Sequence, residues 1–121
     1  MTSSNKKTIL ETWNDGTPKT EKIVSENGTI LKVSYYKNGQ IHTKESIVSD
    51  LRTGQYQRFW ENGMKWDETD FLEGKEHGET VLYNEDGKVW LRGEYRYGKK
   101  IGKWTFHNSD GEISRIEDFD K

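Results

Sequence analysis

The stretch "YNEDGKVWLRGEYRYGKKIGKWTFHNSDG", from Tyr83 to Gly111, contains one Asp-Gly near its start and another at its end. The glycines of the last four Asn-Gly or Asp-Gly dipeptides recur at one constant interval, at Gly39, Gly63, Gly87 and Gly111. A second series of glycines has the same interval, at Gly54, Gly78 and Gly102. One period shared by two series predicts a repeat architecture.

Residues at fixed offsets from these glycines are mostly aromatic or β-branched, which is typical of strands. One such column holds Tyr35, Phe59, Tyr83 and His107, and another holds Tyr56, Thr80 and Trp104. Asn-Gly between such runs favours a hairpin with a tight primed turn, because both residues tolerate positive φ. Each unit is predicted to end with a second glycine-bounded turn, such as "GKEHG" (Gly74–Gly78) or "GKKIG" (Gly98–Gly102).

A single hairpin cannot bury its own apolar face, but stacked hairpins share a continuous one. The sequence therefore predicts an all-β fold, an elongated single antiparallel sheet of about ten short strands and about five 24-residue repeats. The first repeat is compressed, since the interval from Gly16 to Gly39 is one position shorter than the later ones. Residues 1–8 are polar and are expected to be flexible, and residues 9–121 are expected to form one repeat domain.

The composition agrees with this fold. The 121 residues include no Ala, the best helix former, and Thr, Val, Ile, Tyr and Trp are plentiful. Leu, Ile, Val and Phe make up just under a fifth of the chain, so five Trp and six Tyr must supply much of a shallow core. Absence of Cys excludes disulfides and thiolate metal sites. Since no apolar run is long enough for a signal peptide or a membrane span, a cytoplasmic location is expected.

The sequence carries no recognisable catalytic set. The three His are far apart and fall in different columns of the repeat, and no motif pairs them with a nucleophile or a bound metal, as a hydrolytic site requires. The stretch "GKKIGKWT" fails as a phosphate-binding loop, because its glycines are too close together and Trp104 stands where Ser or Thr is required. A shallow sheet also desolvates few carboxylates. We therefore expect no enzyme, no catalytic residue, no metal site and no cofactor.

Two stretches resemble the MORN repeat, namely "LRGEYRYGKKIGKWTF" (Leu91–Phe106) and "GQYQRFWENG" (Gly54–Gly63). The resemblance extends over residues 13–119, although Lys65 and His107 depart from it. It implies a stack of hairpins that acts in protein–protein scaffolding, with phospholipid contact as a weaker implication. Small bacterial proteins made only of such repeats resemble the YwqK-type antitoxins, and this implies an immunity protein that neutralises a toxin encoded beside it.

Charge alternates between neighbouring repeats. Residues 61–86 hold nine acidic residues and two Lys, whereas residues 87–106 hold six basic residues and Glu94. One interpretation is cross-strand attraction between an acidic and a basic hairpin. The other is an acidic surface that covers the basic active site of a toxin, with Trp side chains as anchors or, alternatively, on the packed face. Its predicted partner-binding residues are Trp66, Asp67, Glu68, Asp70, Glu73, Trp90, Arg92 and Glu94.

The leading prediction is a non-enzymatic protein-binding module, an immunity protein that occludes a cognate bacterial toxin as a monomer or an edge-paired dimer. One alternative is a MORN-type scaffold joined through its edge strands. Another is a cell-surface binder of carbohydrate or choline. Nucleic acid is disfavoured as a partner, because the pI is about 5.9 and acid flanks the basic stretch. Membrane contact is disfavoured because the acidic repeat would oppose it.

Overall fold

The computed structural model describes residues 5–120 and confirms the all-β hairpin-repeat sheet. The described residues form no helix, and therefore none long enough to span a bilayer. The strands are β1 (Lys6–Thr12), β2 (Pro18–Val24), β3 (Ile30–Tyr35), β4 (Ile41–Val48), β5 (Leu51–Arg52), β6 (Gly54–Phe59), β7 (Lys65–Leu72), β8 (Lys75–Tyr83), β9 (Val89–Arg96), β10 (Lys99–His107) and β11 (Ile113–Asp118). All pairs are antiparallel and follow chain order, except that the two-residue β5 lies off the path and pairs with β4.

The pairing register divides the side chains between two faces, because successive residues of a strand point to opposite sides. Face 1 includes the cross-strand row Thr43, Arg58, Asp67, Leu82, Leu91 and Phe106. Face 2 includes the row Glu21, Val33, Lys44, Gln57, Glu68, Val81, Arg92 and Thr105. Each row takes one residue from each successive strand of the sheet path, from β4 to β10 on face 1 and from β2 to β10 on face 2, so the sheet is a single layer with two amphipathic faces.

The core is shallow and lies on both faces. Val33 and Val81 on face 2 and Trp104 on face 1 are buried, at 3%, 5% and 3% exposure. The Trp104 ring lies directly over Gly93, where an added Cβ would come within 2.1 Å of a ring carbon. Packing therefore occurs between neighbouring strands of one sheet and not between two layers.

Turns alternate between the two ends of the strands, because each strand reverses the direction of the one before. Five turns form turn row 1, at residues 13–17, 36–40, 60–64, 84–88 and 108–112. The turns at the other end, turn row 2, connect β2 to β3, β4 to β5, β7 to β8 and β9 to β10. In the third turn of row 1, Trp60 N–H donates to Met64 C=O at 2.8 Å and Gly63 N–H donates to Trp60 C=O at 2.9 Å. All five turns of this row share that pair of hydrogen bonds.

The predicted primed geometry of the Asn-Gly and Asp-Gly turns is wrong. Among the described residues, positive φ outside glycine occurs at Ser49, Asp50, Glu73 and Tyr97, and at no Asn. In the first four turns of turn row 1 the Asn or Asp side chain instead accepts a backbone N–H two residues later, as Asn38 Oδ1 does from Gln40 at 2.9 Å. Only the glycine then adopts positive φ, which is the geometry of a three-residue loop closed by a glycine bulge.

Two-residue primed turns occur in turn row 2, at Ser49-Asp50, Glu73-Gly74 and Tyr97-Gly98, where both residues have positive φ. The stretches "GKEHG" and "GKKIG" are therefore not turns in themselves. Each begins with the second turn residue and continues into a strand, β8 or β10. The N-terminal boundary also differs from the prediction, because β1 begins at Lys6, which pairs with Val24. The rest of the segment expected to be flexible, residues 1–4, lies outside the described residues.

Candidate binding surface

A row of aromatic side chains occupies the first position of the first three turns of turn row 1. We call Trp13, Tyr36 and Trp60 the aromatic row. Each ring packs against a side chain six residues later in the same hairpin, namely Lys19, His42 and Trp66. The Tyr36–His42 and Trp60–Trp66 pairs are stacked, with ring centroids 4.3 and 4.6 Å apart. The same two-residue arrangement is therefore repeated three times along one end of the sheet.

Shallow grooves lie between successive members of the aromatic row. The groove between Trp13 and Tyr36 has a volume of about 540 Å³, and the groove between Tyr36 and Trp60 has a volume of about 490 Å³. Four residues that line the second groove stand one full repeat after residues that line the first, namely Trp60, Asn62, Trp66 and Glu85. A third groove of about 420 Å³ lies on the outer side of Trp13. The repeat thus generates a series of equivalent grooves.

The two ends of this series differ in charge. At the Trp13 end, the Nζ atoms of Lys19 and Lys37 lie 4.8 and 5.4 Å from the indole centroid. Glu61 lines both grooves, and at the Trp60 end it is joined by Glu85, with no Lys or Arg among the described residues that line this groove. A ligand that lies along the row would therefore meet a basic end and an acidic end.

Neighbouring turns of the row are tied together by hydrogen bonds. Asn38 Nδ2 donates to Glu61 C=O and Asn62 Nδ2 donates to Glu85 C=O, each at 3.0 Å. The Tyr36 hydroxyl donates to Phe59 C=O at 2.8 Å. These bonds fix the spacing between the second, third and fourth turns, so the Tyr36–Trp60 groove is preformed.

The aromatic rings are not required by the turns that carry them. Asn84 and Asn108 occupy the same position in the fourth and fifth turns of turn row 1. Asn84 N–H donates to Lys88 C=O at 2.8 Å and Gly87 N–H donates to Asn84 C=O at 2.9 Å, the same bonds and lengths as at Trp60. Since Asn supports the same backbone conformation, the turn itself does not require an aromatic ring in the first three turns.

Two indole N–H groups in this row have no hydrogen-bond partner. Trp13 Nε1 and Trp60 Nε1, at equivalent positions of the repeat, are both buried and unpaired among the described residues. A buried donor without a partner costs about 1–3 kcal/mol. The row therefore holds two donors whose pairing with an added acceptor would be favourable.

The residues predicted to bind a partner do not form one surface. Asp67 is 8% exposed and accepts two hydrogen bonds from Arg58, at 2.9 and 2.6 Å. The Arg58 guanidinium also lies 4.1 Å from the Trp66 ring centroid. The hydrogen bond to Asp67 raises the pKa of Arg58 despite partial burial. Trp66 and Asp67 are thus brought together on face 1, but the carboxylate is already paired within the sheet.

Glu68 lies on the opposite face and is also paired internally. Its carboxylate accepts hydrogen bonds from Gln57 at 2.6 Å and from the Tyr83 hydroxyl at 3.0 Å, and Lys65 Nζ lies at 2.9 Å. Burial acts to raise the pKa of Glu68, but these three partners outweigh it and lower the pKa. Burial and the bond to Glu68 raise the pKa of Tyr83. The Glu68 carboxylate is therefore already paired with residues of the sheet itself.

The remaining predicted residues are dispersed. Glu73 is exposed in a primed turn of turn row 2, whereas Trp90 is half-buried at the position equivalent to Trp66. Asp70 packs beside Gly78, where an added Cβ would lie 3.0 Å from its side chain. Arg92 forms an exposed ion pair with Glu79 at 3.4 Å, and Glu94 is exposed directly opposite Glu79. The Arg92–Glu79 pair is the kind of contact that cross-strand attraction between the acidic and basic hairpins predicts.

The sequence interpretation missed the aromatic row, although a signal for it existed. Trp60 follows Tyr36 by one full repeat, and Tyr36 follows Trp13 at an interval one position shorter, because the first repeat is compressed. In the last two repeats the same position holds Asn84 and Asn108. The position is therefore not aromatic in every repeat, and a search for aromatic positions common to all repeats does not find it.

Among residues 5–120, no group of three or more His, Cys, Asp and Glu side chains is arranged to hold a metal ion. No protein-family model matches the chain, and no curated protein matches it significantly.

Proposed function

We propose that this protein is a non-enzymatic protein-binding module, that the aromatic row is its binding surface, and that it serves as an immunity protein occluding a bacterial toxin. The observation that carries the binding function is the presence of half-buried rings beside shallow grooves, at positions where Asn supports the same turn. Trp and Tyr are the side chains most enriched at the energetic centres of protein interfaces.

The length of the row favours a polymeric partner over a small molecule. Successive members are separated by two strands, and strands are spaced by about 4.8 Å, so neighbouring rings lie roughly 9.5 Å apart. The row from Trp13 to Trp60 therefore extends over roughly 19 Å. The immunity role is supported by the resemblance of Gly54–Gly63 and Leu91–Phe106 to the MORN repeat, since small bacterial proteins made only of such repeats resemble the YwqK-type antitoxins.

The experiment is a growth assay with the product of the adjacent gene. We expect that expression of this product alone arrests growth, that co-expression with the present protein restores growth, and that the two proteins co-elute as a stoichiometric complex. Tyr36→Asn should abolish protection, because it removes the ring shared by both grooves while keeping a residue that turn row 1 accepts elsewhere.

Tyr97→Asn is the matched control. Tyr97 is an aromatic residue that is 60% exposed, but it lies in turn row 2 at positive φ, which Asn tolerates. This variant should protect as well as the native protein. If the complex forms equally well with Tyr36→Asn, the aromatic row is not the binding surface. If the product of the adjacent gene neither arrests growth nor binds this protein, the immunity role is excluded.

A second function, assembly through the sheet edges, is favoured by the composition of the two outer strands. β1 exposes Ile9 and Leu10, at 51% and 44%, and β11 exposes Ile113 and Ile116, at 54% and 53%. Edge strands also present unpaired backbone groups that can pair with another chain. Light scattering tests this: an assembly whose mass rises with concentration and is reduced by Ile116→Lys supports it, and a monomer at millimolar concentration rejects it.

A further inference from the structure

We propose that the aromatic row binds a proline-rich segment in the polyproline II conformation, with one turn of the ligand for each repeat of the sheet. The inference rests on the proposed binding function and specifies the chemistry of the partner. It is carried by a match of two periods, by the chemistry of the grooves and by the distribution of charge along them.

The periods match because both follow from backbone geometry. Equivalent positions in successive hairpins are two strands apart, which is roughly 9.5 Å. A polyproline II helix has three residues per turn and rises about 3.1 Å per residue, so its repeat is roughly 9.3 Å. Prolines at positions i and i+3 would therefore enter the Trp13–Tyr36 groove and the Tyr36–Trp60 groove without distortion of either chain.

The grooves have the chemistry that this ligand requires. Pro-rich segments dock in grooves lined by aromatic rings, because their conformation is preformed and little entropy is lost on binding. A polyproline II helix has no internal hydrogen bonds, so its carbonyl groups are free to accept. The unpaired indole N–H groups of Trp13 and Trp60 are two donors at equivalent positions of the repeat. Both are covered in the free sheet, so pairing requires a rotation of the side chains packed around them.

The charged residues that line the two grooves predict how charge is distributed along the ligand. Two Lys and one Glu, namely Lys19, Lys37 and Glu61, line the Trp13–Tyr36 groove, whereas the described residues that line the Tyr36–Trp60 groove include Glu61 and Glu85 and no Lys or Arg. The segment that fits best therefore has acidic residues beside its first groove-bound proline and basic residues beside its second. Complementary charges of this kind select between partners more than they add affinity.

The test uses synthetic peptides and isothermal titration calorimetry. Each peptide has the core Pro-X-X-Pro with two Asp at one end and two Arg at the other, and two versions carry the acidic end at opposite termini. The matched controls have the same composition, but the prolines are adjacent. We expect one of the two spaced peptides to bind at least about tenfold more tightly than its control, a difference well within calorimetric resolution.

Variants locate the binding. Tyr36→Asn should lower the affinity for the spaced peptide by about tenfold or more, because the substitution removes one side of both grooves. Tyr97→Asn should leave binding unchanged. Asn84→Trp extends the row by one repeat, so it should increase affinity for a peptide with a third proline three residues further on, and not for the two-proline peptide. Circular dichroism confirms that each variant retains the sheet.

Each outcome decides the inference separately from the proposed function. Equal binding of spaced and control peptides, or no binding at about 1 mM, would overturn it. So would an oligosaccharide that binds in a Tyr36-dependent manner where the peptides do not. If the adjacent toxin binds the native protein but a spaced peptide does not compete with it, the immunity function stands and the polyproline ligand is rejected.

Discussion

Aromatic side chains play opposite parts in the two halves of this sheet. In the C-terminal half, Trp104 is 3% exposed, lies over Gly93 and contacts Tyr95 and Phe119 edge-on, with centroids 5.1 and 6.0 Å away. One repeat earlier, the positions of Gly93 and Trp104 are held by Thr69 and Thr80, whose hydroxyls are hydrogen-bonded at 2.6 Å. At equivalent positions of the repeat, a pair of one small and one large residue on β9 and β10 therefore replaces a pair of two medium-sized residues on β7 and β8.

The aromatic row shows no such compensation. One repeat later, Asn84 stands at the position of Trp60, whereas the position of its stacking partner Trp66 still holds a tryptophan, Trp90. The loss of one ring is therefore not balanced by a larger side chain at the partner position. Compensation between cross-strand neighbours marks side chains that fill space in the sheet. Its absence indicates that the rings of the aromatic row contribute little to the fold and are available for binding.

The largest effect is expected at the Gly93–Trp104 pair. Trp104→Ala should lower the free energy of unfolding by about 3–5 kcal/mol, as for other large aromatic residues removed from a core. Gly93→Thr should cost about 3 kcal/mol, because its Cβ would overlap the indole. The double variant Gly93→Thr/Trp104→Thr, which copies the Thr69–Thr80 pair, should be more stable than Gly93→Thr alone in urea denaturation. Additive losses would contradict the compensation.

The ion pair beneath the aromatic row should have the next largest effect. Arg58→Met leaves Asp67 buried without its two hydrogen bonds, and should lower the free energy of unfolding by about 2–3 kcal/mol. Arg58→Met/Asp67→Leu should recover part of this loss, since no unpaired charge remains. Urea denaturation of the two variants measures the difference, and a double variant less stable than the single one would show that the pair stabilises the sheet in itself.

Trp60→Asn should have a smaller effect on stability and a larger one on binding. Loss of the Trp60–Trp66 stack should cost about 0.5–1.5 kcal/mol. The same variant should weaken partner binding by about tenfold. Thermal unfolding and calorimetry of one preparation measure both quantities. A loss of stability similar to that of Trp104→Ala would make Trp60 a core residue and remove the contrast between the two regions.

The smallest effect concerns pH. The pKa of Glu68 is lowered below its ordinary value of 4.5, so its ionised form stabilises the folded state. This contribution is present above pH 4.5 and is lost as the pH falls through the lowered pKa. The native protein should therefore lose stability relative to Glu68→Gln as the pH falls through this range. Parallel curves of melting temperature against pH for the two proteins would contradict this assignment.

Local patterns in the sequence were sufficient to establish the period, the all-β fold and the turns at the Asn-Gly and Asp-Gly dipeptides. These patterns are the spacing of the glycines and the recurrence of aromatic and β-branched residues at fixed offsets. Alternation along a strand is a local property as well, and along β9 it puts Leu91, Gly93 and Tyr95 on one face.

The types of turn, the pairing of charges and the site depend on contacts between strands, and these became visible only in the folded sheet. Asn and Gly permit both a primed turn and a glycine bulge, and the Asn side-chain hydrogen bond selects the bulge. Asp67 and Glu68 appeared free in the sequence, but their partners Arg58 and Gln57 lie on the neighbouring strand.

The aromatic row depends on the same long-range contacts. A register shift beside Arg58 brings Trp66 and Asp67 to the same guanidinium, directly beneath the row. Stacking of the hairpins then places the first positions of three separate turns side by side. A column of the sequence indicates that these positions are equivalent, but it cannot locate them in space, because their proximity is produced by the pairing of strands that are distant in the chain.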